Sequence, residues 1–248
     1  MRNWPWDGYL KWSSCLRTSE LFASDPVKAL LGRALRPGGD VLTRRMLDLV
    51  DPVPGIRVLD AGCGCGVTLG MLRERGSQAF GLDLNAGLLR DAVGKRGAVA
   101  QGDLAFQPFA DGSFDLVVCE CAWNLTDKGK VLAEFFRVLR HGGMLALADI
   151  YARGVPSGQW PVRCCFAQAT DLQAVLDEVS TAGFEIGVVE DHTELLKKTA
   201  ADFVFRHGSL HGFWQAVTGS SELAEMACDA SRASKPGLFL LTARAVKW

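Results

Sequence analysis

The sequence has no run approaching the roughly 18 apolar residues of a membrane span, so no transmembrane segment is expected. It has no block of lysine and arginine that would track a phosphate backbone, and its net charge is only −1. Nucleic acid is therefore not an expected partner. Residues 1–12 are aromatic and mixed in charge, without the apolar core and cleavage site of a signal peptide, which predicts a cytoplasmic protein. No C-x-x-C spacing occurs among the eight cysteines, Cys15, Cys63, Cys65, Cys119, Cys121, Cys164, Cys165 and Cys228. The C-x-C and C-C spacings that do occur argue against a structural zinc site, and no metal is expected. Reduced, buried thiols are the default for such a chain. Repeats and low-complexity tracts are absent too.

What is present is an apolar fraction of 48% over 248 residues. That is enough for one α/β domain with additions, or one domain plus a small cap. The leader carries Trp4, Trp6, Tyr9 and Trp12. Such rings serve either as a docked arm or as a lid over a site, and packing is the expected use. Two helices are predicted over 25–50, broken by Pro37-Gly38-Gly39, with Asp40 able to cap the second.

Strand and helix then alternate. Strands are expected at Ile56–Asp60, Gln78–Asp83, Ala98–Gln101, Phe114–Cys119 and Met144–Ile150, with helices at Val67–Arg75, Ala86–Gly94 and Lys128–Arg140. His141-Gly142-Gly143 is expected to stop the last of these as a left-handed glycine cap. A further helix is expected through Leu176 and Val179, capped by Thr170 or Asp171, with strands at Phe184–Glu190 and Gly237–Val246. Between those strands, residues 191–236 read as an inserted helical cap. This rhythm with short joins means a doubly wound, mostly parallel α/β sheet of seven strands.

The central stretch is Asp60-Ala61-Gly62-Cys63-Gly64-Cys65-Gly66, at the end of the first strand. A dinucleotide fingerprint places its third glycine three residues after the second, where Val67 stands. Asp60 also sets a carboxylate where a pyrophosphate would approach. An acid followed by Gly-x-Gly-x-Gly suits a ligand with no phosphate and a cationic end. Asp83 follows the second strand, where an acid can accept from both hydroxyls of a ribose. Asp103-Leu104 and Glu120-Cys121 follow the third and fourth, all at the carboxyl edge where open sheets bind ligands.

Together, Val58–Gly66, Gly81–Asn85, Gly102–Leu104 and Phe109–Glu120 resemble the core of class I S-adenosylmethionine-dependent methyltransferases. Pro108-Phe-Ala-Asp-Gly-Ser-Phe-Asp-Leu-Val and Arg137-Val-Leu-Arg-His-Gly-Gly-Met-Leu are similar to the small-molecule branch that includes ubiquinone and menaquinone biosynthetic enzymes. The resemblance covers about residues 50–150. It implies a Rossmann-like methyltransferase fold with an aromatic arm and helices over 1–50 and the methyltransferase domain over 51–248. It implies S-adenosylmethionine as cofactor and a small-molecule acceptor. The backbone from Gly62 to Gly66, with Ala61 and Cys63, would face the methionine part, and Asp60 its amino group. Asp83 would bind the ribose and Leu84 would pack on the adenine, while Asp103 and the Leu104 amide would meet its edge. Glu120 and Cys121 would line the methyl-transfer end.

In-line methyl transfer needs alignment and exclusion of water more than an acid–base pair. The base candidates are Glu120, His192, His207 and His211, while His141 is assigned to a helix end. Trp123, Cys164, Cys165 and Trp214 are candidates for the acceptor wall. Three alternatives stay open. Cys119, Cys121, Cys164 and Cys165 could converge on a soft atom, as in a metalloid or thiol methyltransferase. The fold could be kept for binding without turnover. A nicotinamide dehydrogenase is the remote third. A monomer or a homodimer is expected.

Overall fold

The structure is a computed structural model that describes residues 25–93, 98–156 and 160–246. The aromatic leader and Cys15 lie outside the described residues.

After α1 (Asp25–Leu31) a short 3-10 turn, Gly32–Ala34, leads to α2 (Gly39–Val50). The α2 helix begins at Gly38 in a left-handed conformation, and Asp40 falls in its first turn, not at the cap. Its buried residues Leu42, Thr43, Met46 and Leu47 recur at helical spacing and form one face. There follow β1 (Arg57–Ala61), α3 (Val67–Glu74), β2 (Gln78–Asp83), α4 (Ala86–Val93), β3 (Ala98–Gln101) and β4 (Phe114–Glu120). The second half contains α5 (Lys128–Val138), β5 (Leu139–Ala152), α6 (Leu172–Thr181) and β6 (Phe184–Asp191). Three helices, α7 (Thr193–His207), α8 (Leu210–Thr218) and α9 (Ser221–Ser234), precede β7 (Pro236–Ala245).

The seven strands form one sheet in the order β3-β2-β1-β4-β5-β7-β6. All neighbours are parallel except β7, which runs antiparallel to both β5 and β6. The expected doubly wound α/β sheet is thus observed. Alternation along each strand sends side chains to two separate cores. Leu59, Val117, Cys119, Leu145, Leu147 and Phe239 pack with α5 and α6. Val58, Leu116, Val118, Ala146, Ala148 and Leu240 pack with α2 and α3 on the other face. A third cluster joins Val27 of α1 to Trp160, Val162, Cys164, Phe213 and Trp214.

One boundary differs in kind. The α5 helix stops at Val138, and Leu139 is already extended at φ −72, ψ 141. His141, Gly142 and Gly143 therefore lie inside β5, not at a helix end. The pairing of β4 with β5 steps from Phe114↔Leu139 to Leu116↔Met144. The glycines absorb that bulge, with Gly142 at φ 71. His141 consequently does not cap α5.

Candidate active site

The strand order sets Asp103, Asp83, Asp60 and Glu120 along one carboxyl edge, after β3, β2, β1 and β4. Asp83 ties the edge together. Its Oδ2 accepts from the Gly64 amide at 2.9 Å and its Oδ1 from the Asn85 amide at 2.8 Å. Burial outweighs these bonds and pushes its carboxyl above the usual range. Gly62 amide bonds to the Leu82 carbonyl at 2.8 Å, so the glycine turn leans on β2. Above Gly64 the space is open, with no atom within 4 Å of where a Cβ would stand. Asp103 is exposed and accepts from the Ala105 amide at 2.9 Å. Leu84 is 66% exposed, while Leu104 is buried in the α5-side core with Leu82.

Asp60 is buried, and its Oδ2 has no hydrogen-bond partner. Burial, then the negative charge of Glu120, lift its pKa to about 8, with Arg36 opposing. A buried carboxyl with a free oxygen beside an open shelf fits the ammonium end of an amino acid.

Glu120 is not free at the end of β4. Arg36 Nε lies 2.9 Å from its Oε2. Thr43 donates to Oε2 at 2.9 Å and Thr68 to Oε1 at 2.8 Å. Arg36 also donates to the hydroxyls of Thr43 and Thr68. The stretch before α2 is thereby fastened over the first turn of α3. Nothing in the local pattern around Arg36, Thr43 or Thr68 marks them, because their role arises only when three segments meet.

Cys121 follows in a left-handed conformation at φ 53. Its thiol hydrogen-bonds that of Cys165, and this contact and burial raise the Cys165 pKa well above the ordinary value. Asn124 fixes the same place, donating to the carbonyls of Cys165 at 2.9 Å and Ile150 at 2.7 Å. Asp149, fully buried, accepts from the Asn124 amide at 3.0 Å, and burial lifts its pKa to about 7.

Beyond Cys165 lies a cavity of about 190 Å³. Leu35, Cys164, Cys165, Phe166, Phe213 and Trp214 are among its walls. Leu35 also packs on Cys65 and Leu88, so this wall is shared with the glycine-turn side. A larger depression of about 530 Å³ lies between α5 and α6 on the opposite layer, away from the carboxyl edge.

Of the candidates for the acceptor wall, Cys164, Cys165 and Trp214 thus come together. Trp123 does not. It is fully buried in the α5-side core, with its Nε1 donating to the Lys128 carbonyl at 3.1 Å. None of the three candidate histidines is among the cavity's lining residues, although His207 packs behind one of them. His192 meets Glu190 at 2.8 Å, His211 meets the Ser221 carbonyl at 3.2 Å, and His207 packs edge-on to Phe213 at 5.6 Å. The four cysteines do not converge. Cys119 faces the α5 core, Cys121 and Cys165 the opposite one, and Cys164 the third cluster. Among the described residues no cluster of His, Cys, Asp or Glu is arranged to hold a metal ion. The aromatic run Phe203 to Trp214 is the sequence signal for the cavity, although Phe205 itself points to solvent.

Residues 59–147 match the family described as "Methyltransferase domain". The demethylmenaquinone methyltransferase of Renibacterium salmoninarum is 38% identical over 111 residues, 43% of this chain and 46% of that protein. The chain spans about half the length of the curated relatives it matches. Among solved structures, the [4+2]-cyclase SpnF superposes with a TM-score of 0.73 at 21% identity, covering 94% of this chain and 98% of its own. Phosphoethanolamine N-methyltransferase 2 of Haemonchus contortus, in complex with S-adenosyl-L-methionine, gives 0.72 at 20% identity, covering 93% and 58%. Fold and carboxyl edge together define a Rossmann-like methyltransferase fold. The sequence match to a methyltransferase domain is confined to residues 59–147, within a fold the chain shares with these solved structures. No helix among the described residues is long and apolar enough to cross a membrane.

Proposed function

We propose that this chain is an S-adenosylmethionine-dependent methyltransferase, with a small-molecule acceptor in the cavity behind Cys165. The observation that carries the reading is the open shelf over Gly64, flanked by Asp83 and by the unpartnered oxygen of Asp60. S-adenosylmethionine supplies an electrophilic methyl group on a sulfonium and departs as a neutral thioether. The chain's own task is alignment. Asp60 accepts from the ammonium end, Asp83 from the ribose hydroxyls, and Leu84 covers the adenine, with Asp103 and Leu104 at its edge. Backbone from Ala61 to Gly66 supports the methionine part. Glu120 is spoken for by Arg36, Thr43 and Thr68, and acts as a positioning residue in place of a base. The walls from Leu35 to Trp214 exclude water from the reacting pair. A base is not obligatory for this chemistry.

The separation of Cys119, Cys164 and the Cys121–Cys165 pair, with thiols held protonated at Cys119 and Cys165, argues against a metalloid-binding set. A second reading has a specific support. The chain is superposable nearly end to end on a [4+2]-cyclase, so the fold alone does not fix the reaction. Reduced thiols and the net charge fit a cytoplasmic enzyme.

Calorimetry with S-adenosylmethionine and its demethylated product tests the cofactor. Wild type is expected to bind both, and Asp83→Ala to bind about ten-fold or more weakly, because charge-assisted bonds to the ribose and to the Gly64 amide are lost together. Absence of binding by the folded wild type would sink the proposal. Binding without methyl release to any acceptor supplied would favour the second reading.

A further inference from the structure

Between α1 and α2 the backbone passes through positive φ at Gly32, Leu35, Gly38 and Gly39. Glycine adopts that conformation freely. Leu35 stands there at φ 54, ψ 24, which is disfavoured for a bulky side chain. Asp51 and Lys235 also have positive φ, but they end helices at the surface. Leu35 is buried. A residue held against its backbone preference persists only where its surroundings over-determine it. Arg36 supplies the hold. Its guanidinium donates to the Ala34 carbonyl at 3.0 Å, just ahead of Leu35, and its Nε lies 2.9 Å from Glu120. The Thr43 and Thr68 hydroxyls accept from the same guanidinium.

The side chain so held belongs to two surroundings at once. It packs with Cys65, inside the glycine turn, and with Leu88 on α4, the helix that follows Asp83. It also lines the cavity of about 190 Å³, together with Pro37, Cys165 and Phe166. Ring contacts brace other walls of that cavity. Phe166 stacks on Trp160 at 5.1 Å and Phe203 on Phe213 at 4.1 Å. A glycine at position 35 would satisfy the backbone without strain. The leucine is therefore explained by what its side chain separates.

We propose that Leu35 is a specificity-determining residue, a partition that limits how far an acceptor in the cavity reaches toward the glycine turn. This rests on the methyltransferase reading, in which the shelf over Gly64 and the cavity hold the two reactants. Trimming Leu35 to alanine lengthens the cavity toward Cys65, because surrounding structure refills such a space only in part. Arg36 acts through Leu35 as a positioning residue.

The test uses the full chain in calorimetry, first with S-adenosylhomocysteine alone. Ethylbenzene and n-butylbenzene then serve as short and long apolar probes. In wild type neither probe is expected to change S-adenosylhomocysteine affinity. Leu35→Ala should bind n-butylbenzene about ten-fold tighter than wild type does, since the longer chain finds the added space. In that variant n-butylbenzene should also weaken S-adenosylhomocysteine about ten-fold, because the space ends at the glycine turn. Leu35→Met refills the site and should restore both wild-type values. Leu35→Gly should repeat the ligand effects of Leu35→Ala while melting no lower, because its backbone is unstrained, and it replaces Leu35→Ala should that variant fail to fold. A leucine serving only as packing would leave S-adenosylhomocysteine indifferent to n-butylbenzene in every variant, and that result would overturn the inference. So would a wild type that binds n-butylbenzene as tightly as Leu35→Ala. Failure of S-adenosylhomocysteine to bind folded wild type would remove the methyltransferase reading. Normal binding of it without the Leu35 effects removes this inference alone.

Discussion

Arg36 Nε stands 2.9 Å from Glu120 Oε2, and both side chains are almost wholly withdrawn from water. The pair joins the stretch before α2 to the end of β4, across the first turn of α3. Two buried ions are each costly to desolvate, so removing one leaves the other uncompensated, at about 3–5 kcal/mol. Arg36→Ala is expected to lower the unfolding free energy by about 3 kcal/mol in a urea titration. Arg36→Ala combined with Glu120→Gln should recover a large part of that loss, because the stranded charge is gone. A double variant no more stable than the single would show that the arginine acts through packing alone.

Asp60 makes cofactor affinity depend on pH. Its pKa of about 8 is set by burial and by Glu120, with Arg36 opposing and Asp83 adding to the rise. An ammonium needs the ionised carboxylate, so binding displaces a proton wherever the pH lies below about 8. The ratio of wild-type to Asp60→Asn affinity cancels the titration of the ligand itself. That ratio should climb from pH 6 toward 8.5, by up to about ten-fold per pH unit, and level off above. Stability should move the other way. A carboxyl raised above its unfolded value favours the fold fully at pH 4 and loses that contribution as pH rises through 8. Asp60→Asn should therefore gain on wild type, in thermal unfolding, between pH 4 and pH 9. A flat affinity ratio would mean that Asp60 does not meet a cation.

The sheet was legible because its signals are local. The strands Gln78–Asp83 and Ala98–Gln101 fall where apolar runs and flanking turns put them. Asp60, Asp83 and Asp103 could be placed because a parallel sheet brings every strand end to one edge. What was hidden depended on long-range meetings. Arg36 becomes a partner of Glu120 only once α2 lies across the sheet. Trp123 looked like a wall residue from its position after β4, yet the 3-10 turn Trp123–Leu125 rotates it into the α5 core. The helix end at Val138 was misplaced for a related reason. Gly142 and Gly143 carry the signature of a helix cap, but pairing with β4 claims Leu139 first. Cys119 and Cys121 are two residues apart in sequence, and the chain turns between them at Cys121 with positive φ, so strand alternation did not carry over.

The glycine turn offers a prediction that separates folding from binding. Gly62 sits at φ +82, and a Cβ there would lie 2.4 Å from the Ala122 Cβ, well inside contact distance. Gly64 sits at φ +50 with nothing within 4 Å. A left-handed backbone costs an alanine about 1–2 kcal/mol at either place. Only Gly62→Ala adds an overpacking cost, typically about 1–3 kcal/mol. Gly62→Ala is therefore expected to lose about 2–5 kcal/mol of stability, and adding Ala122→Gly should return the overpacking share. Gly64→Ala should lose only about 1–2 kcal/mol, yet its methyl group would occupy the shelf beside Asp83 and weaken S-adenosylmethionine by about ten-fold or more. Denaturant unfolding and calorimetry on the same preparations read both quantities. Equal losses of stability in the two variants would contradict the Ala122 contact, and unchanged affinity in Gly64→Ala would move the cofactor off the shelf.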